Sequence, residues 1–85
     1  MNNTLIVLFG EKEIIVQTPE IIVIGVLKII ERNNPNTVVL IKKIVHTDFI
    51  QTKVNLEQGK YQVQIITSNE TISKNITINN SINQR

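Results

Sequence analysis

The 85 residues are expected to fold as an all-β, two-layer sandwich of about seven antiparallel strands. Three observations lead there. First, β-branched residues dominate: Ile occurs 17 times, Val 9 and Thr 8, with no Ala. Such side chains lose rotamer freedom in a helix and fit a pleated sheet. Second, apolar runs are separated by turn signals at roughly 8–12-residue spacing, the rhythm of short strands. Third, Leu56-Glu57-Gln58-Gly59-Lys60-Tyr61-Gln62-Val63-Gln64-Ile65 reads as a tight turn entering a strand with odd positions inward. A Tyr so placed can fold over the core edge and bond its hydroxyl to the backbone a few residues upstream, a tyrosine corner built by Leu56, Gly59 and Tyr61.

The elements follow in order. Residues 4–9 form a first strand, ended by Gly10-Glu11, and residues 12–17 a second, ended by Thr18-Pro19-Glu20. Pro19 cannot donate a ladder hydrogen bond and suits a corner or an edge. Residues 21–31 form a long third strand with Ile22, Ile24 and Val26 on one face. Ile21, Val23, Leu27 and Ile29 lie on the other, with Gly25 marking a bulge or a close backbone approach. Arg32-Asn33-Asn34-Pro35-Asn36 is a turn. Residues 37–46 form a fourth strand, with Val39, Ile41 and Val45 on one face and Val38, Leu40 and Ile44 on the other. Lys42-Lys43 puts one lysine on each face, and the inward one must snorkel to an edge.

Thr47-Asp48 is a short turn into a fifth strand, residues 49–56, with Ile50, Thr52, Val54 and Leu56 inward. Residues 60–67 form a sixth strand with Tyr61, Val63 and Ile65 inward. Ser68-Asn69-Glu70 turns the chain into a seventh, residues 71–78, whose apolar face (Ile72, Ile76, Ile78) is interrupted by Lys74. Residues 1–78 make one domain, and residues 79–85 read as a polar tail.

The composition narrows the function classes. There is no cysteine, hence neither a disulfide nor a thiolate metal site. A net charge of +2 with dispersed basic residues and only Phe9, Phe49 and Tyr61 as aromatics is a poor nucleic-acid footprint. Residues 1–9 lack the charge and apolar length of an export signal, and the run 21–30 is too short and too broken to span a membrane. His46 is the single histidine, short of the three or four ligands a metal site wants.

The acids, Glu11, Glu13, Glu20, Glu31, Asp48, Glu57 and Glu70, fall at strand ends and turns, where charge is solvated. No nucleophile–base set or glycine-rich phosphate loop is legible. No enzymatic activity, metal, cofactor or small-molecule substrate is therefore expected. Asn-x-Ser/Thr triplets begin at Asn2, Asn69, Asn75 and Asn79, as chance supplies in so Asn- and Thr-rich a chain.

The remaining anomaly is strands apolar on both faces, unusual for a sheet with one side in water. An apolar patch that docks on a protein partner is one explanation; a small core that uses parts of both faces is the other. Leu5, Val7, Phe9, Ile21, Val23, Leu27 and Ile29 are the candidate partner-binding residues. The first strand could pair with a neighbour's sheet edge.

The segment Val54, Leu56, Gly59, Tyr61, Val63, Ile65 followed by Ile72-Ser73-Lys74-Asn75-Ile76-Thr77-Ile78 resembles the end of an immunoglobulin-like or fibronectin-III-like domain. It covers about a third of the chain. The chain lacks the Trp of antibody-type domains and has Val63 where their second core Cys stands. A small immunoglobulin-like protein beginning at its own Met, without an export signal and with a polar tail, also resembles the auxiliary or decoration proteins of tailed-phage capsids. The Asn- and Ile-rich, Ala-free composition is similar to that of AT-rich phages of gut bacteria such as the crAss-like group. That resemblance implies a structural virion protein, made in the host cytoplasm, with the major capsid protein or other virion subunits as partners. A module of a bacterial surface or secreted assembly is the alternative it leaves open.

Overall fold

The structure, a computed structural model, describes residues 4–10 and 12–79. The chain is all-β, and its described residues form five strands in one curled antiparallel sheet. They are β1 (Ile6–Phe9), β2 (Glu13–Glu31), β3 (Val38–Lys53), β4 (Gly59–Ile66) and β5 (Thr71–Ile78). β2 is the spine. Its first part lies between β1 and the last part of β3, and its second part lies between the first part of β3 and β4, with β5 beyond β4.

Two of the expected turns are kinks inside continuous strands. The segments 12–17 and 21–31 are joined as β2, and 37–46 and 49–56 as β3, which ends at Lys53. Gln17 pairs with Phe49 and Ile22 with Thr47, so residues 18–21 stand opposite Asp48 alone. Extra residues on one strand bend it and increase its twist. The hairpin folds over on itself, and residues from both of its halves share one core cluster.

Threonine hydroxyls seal both kinks. Thr18 Oγ1 donates to Glu20 O at 2.6 Å. Thr47 Oγ1 donates to Phe49 O at 3.0 Å and accepts from Phe49 N at 3.1 Å. These are the hydroxyl–backbone bonds that make Thr a turn signal. Here they tie down the backbone at the two bends. His46, just before the second kink, sits at φ 50°, a left-handed conformation that His tolerates better than most side chains.

The kink also explains the strands with two apolar faces. Side chains alternate faces with period two, so an odd insertion exchanges inside and outside. Before the bend β2 buries Ile14, Val16 and Thr18; after it, Gly25, Leu27 and Ile29. β3 keeps its phase and buries Ile44 and Ile50. Strict alternation through residues 21–31, which groups Ile22 with Ile24 and Val26, is therefore wrong at the bend. Ile22 is buried, whereas Ile21, Val23 and Ile24 are all exposed.

A second register shift leaves Val39 without a Cα partner between Ile29↔Leu40 and Ile30↔Val38, and Val39 packs on the core from there. β4 and β5 bury Tyr61, Val63, Ile65, Ile72, Ile76 and Ile78. Their hairpin is closed by Thr67, whose amide donates to Glu70 O at 2.9 Å and whose hydroxyl accepts from the amides of Asn69 and Glu70.

Gly25 is required by a close approach. A Cβ there would lie 2.9 Å from Ile66 O and 2.9 Å from Ile22 Cγ2. No side chain fits where β4 ends against β2.

Candidate functional site

The site is sought on the faces of the sheet, because its edge strands carry features that discourage pairing. An edge strand offers unpaired amides and carbonyls, and proteins blunt such edges with short strands, bends and inward-pointing lysines. Among the described residues β3 pairs only with β2, and its inner face carries Lys42, opposite Leu27. β5 carries Lys74 on its inner face, opposite Val63. The Lys74 ammonium donates to Leu5 O at 3.2 Å, which caps a carbonyl beside the start of β1. Both lysines that break the apolar pattern of the sequence are thus inner-face lysines on edge strands. β1 has only four residues.

The tyrosine corner is formed at one end of the sheet. Tyr61 Oη donates to Glu57 O at 2.8 Å, and the ring is buried. Gly59, at φ 159°, lies beneath it, with the ring 3.6 Å from where a Cβ would stand. Leu56 is half-buried against the same core. Burial, then the nearby Glu31 and Glu57 carboxylates, raises the Tyr61 phenol above its ordinary value of 10.0. A small hollow of about 140 Å3 beside it is lined by Glu31, Asn33, Glu57 and Lys60. It holds no nucleophile–base pair.

Cross-strand partners share a face, so the registers define the outward surfaces. On the outer face of β2, β3 and β4 the rows run Val45–Ile24, then Lys43–Val26–Ile66, then Ile41–Lys28–Gln64, then Val38–Ile30–Gln62. Ile24, Ile41 and Val45 are 65, 63 and 56% exposed. Toward β4 and β5 the face becomes polar. Gln64 Nε2 donates to Gln62 Oε1, and Gln62 Nε2 to Asn75 Oδ1. The charges in these rows are Lys28 and Lys43, with Lys60 below them; no carboxylate lies in the paired rows, and Glu20 and Glu70 stand by Ile24 at the β2 kink.

Beside the β2 kink a groove of about 520 Å3 runs between residues 19–24 and the β4–β5 turn, lined by Ile21, Val23, Ile24, Glu20, Glu70 and Ile72. β1 covers β2 only at residues 14–17 and β4 only at 26–31, which leaves this stretch open on that side.

The candidate partner-binding residues divide. Ile21 and Val23 are exposed on the groove, and Phe9 is 43% exposed at the end of β1. Val7 is half-buried against the core. Leu5, Leu27 and Ile29 are fully buried and form the core, which corrects their assignment to a docking surface. On β1 the outward residues are Ile6 and Leu8, the opposite parity from Leu5 and Val7. Sequence reading missed Ile6, Leu8, Ile24, Ile41, Val45 and Phe49 as surface residues. For Ile24 the signal is the face exchange at the kink of β2; for the residues of β1 and β3 it is their pairing with β2, and no local pattern carries either. His46 is exposed at the bend. Among the described residues no group of three or more His, Cys, Asp or Glu could hold a metal ion, and no helix is long and apolar enough to cross a membrane. Asn2, residue 11 and the tail residues 80–85 lie outside the described residues.

Comparison of the chain with protein-family models, curated proteins and solved structures finds no match in any of the three.

Proposed function

We propose that this chain is a non-enzymatic structural protein that docks on neighbouring subunits through the outer face of β2, β3 and β4. More specifically, it is an auxiliary capsid component of a tailed phage, with the curled sheet acting as an immunoglobulin-like sandwich whose seven segments are the five strands divided at their two kinks. The observation behind the docking role is the face itself. It joins exposed Ile24, Ile41 and Val45 to three lysines, with no carboxylate in its paired rows. Its partner is a protein surface with an apolar centre and an acidic rim.

Burying ~500 Å2 of apolar surface contributes on the order of 12 kcal/mol at about 25 cal/mol per Å2. Association costs take back much of that. The tyrosine corner and the resemblance of residues 54–78 support the immunoglobulin-like part of the proposal, and the capsid role rests on resemblance and composition. Mass spectrometry of purified particles tests it. Recovery at a fixed ratio to the major capsid protein supports the role. Recovery from host cytosol or cell envelope, with none in particles, overturns it.

A further inference from the structure

We propose that the second outward face, built by β1, the first part of β2 and the last part of β3, is where another copy of this chain docks. Its rows run Ile6–Gln17–Phe49, Leu8–Ile15–Gln51 and Glu13–Lys53. Ile6, Leu8 and Phe49 are half or more exposed, and Ile15 lies between them in the centre of the face. This face is separate from the basic one, because the two halves of the hairpin fold over one shared core and their outer faces point apart.

Charge decides the occupant. Among the described residues, the paired rows of this face carry one acid and one base, Glu13 and Lys53, on paired strands, and Gln51 Nε2 donates to Glu13 Oε1 at 3.0 Å. A self-complementary interface presents the same patch twice. A neutral patch with one charge of each sign meets its own copy without repulsion, and a two-fold arrangement can set Glu13 against the other copy's Lys53. The outer face of β2, β3 and β4 cannot do this. Two copies meeting there would bring Lys28, Lys43 and Lys60 against themselves, and like charges across an interface select against pairing. The inner-face lysines of β3 and β5 discourage edge-to-edge pairing, which leaves face-to-face contact. The patch is only three short rows on three strands, small beside the ~1,200–2,000 Å2 that stable complexes bury. The dimer therefore dissociates on dilution.

Sedimentation velocity of the full chain from low micromolar to millimolar concentration tests this, independently of any capsid role. A reversible monomer–dimer equilibrium is expected. Leu8→Glu and Phe49→Glu, both at exposed positions, should each weaken it at least about tenfold, as burial of an unpaired charge does. Glu13→Lys should weaken it, and Glu13→Lys combined with Lys53→Glu should restore it. Ile41→Glu, on the other face, should leave it unchanged. A chain that stays monomeric throughout overturns the proposal. So does a dimer that survives Leu8→Glu and Phe49→Glu, or one abolished by Ile41→Glu.

Discussion

Replacing Gly25 by alanine tests the central packing constraint of the fold. The added methyl would stand 2.9 Å from Ile66 O, 2.9 Å from Ile22 Cγ2 and 3.2 Å from Thr67 Cγ2. Side chains can yield, but the Ile66 carbonyl is backbone at the last pair of the β2–β4 ladder, Val26↔Ile66. Relief requires β4 to move from β2 there. Overpacking of this kind costs about 1–3 kcal/mol, while the lower backbone entropy of the unfolded alanine chain returns about 0.4–1 kcal/mol. The net loss is about 1–2 kcal/mol. At about 4–8 °C per kcal/mol for a domain of this size, Tm falls by roughly 5–15 °C. Urea unfolding followed by far-ultraviolet circular dichroism should show a lower midpoint with unchanged slope. Gly10→Ala is the internal control. Its nearest neighbour, Glu13 Cγ, is 4.0 Å away, and the expected change is within about 0.5 kcal/mol. A Gly25→Ala protein as stable as the parent would refute the close-approach argument.

Three further outcomes follow from the same geometry. Tyr61→Phe loses the bond to Glu57 O and should cost about 1 kcal/mol. Because the folded phenol is raised above 10.0, the folded state holds its proton more tightly. The resulting stability is fully present below pH 10 and is lost as pH climbs through the folded value. The chain has one Tyr and no Trp, so tyrosinate absorbance reports this residue alone, and the alkaline loss should vanish in Tyr61→Phe. At φ 50°, His46→Gly should be neutral or slightly stabilising, whereas His46→Val should cost about 1–2 kcal/mol in chemical unfolding. Lys42→Val with Lys74→Val should increase light scattering on standing at moderate concentration, since it removes the charges that blunt two edges.

The strand content and the corner were legible because their signals are local. β-branched residues, turn residues and the Gly59-x-Tyr61 spacing each act within a few positions. Thr18-Pro19-Glu20 and Thr47-Asp48 were legible as breaks. Whether such a break is a turn or a kink depends on the partner strand. The mismatch of residues 18–21 against Asp48 exists only once β2 and β3 are paired. The exchange of faces follows from that mismatch, which is why Leu27 and Ile29 read as surface and prove to be core, while Ile24 does the reverse. Lys42 and Lys74 read as interruptions for a similar reason: their meaning comes from lying on edges, which the order of strands decides.

The most direct measurement compares the parent with a variant carrying Ile24→Ser, Ile41→Ser and Val45→Ser. The two proteins would be unfolded in urea and, in parallel, mixed with particles stripped of the native protein. Exposed side chains contribute little to folding, so the expected result is a midpoint close to the parent's together with loss of incorporation into particles. A variant that unfolds early, as a core mutant would, places these residues in the fold's own interior. One that incorporates normally removes the face from the interface, and either outcome contradicts the docking role assigned to it.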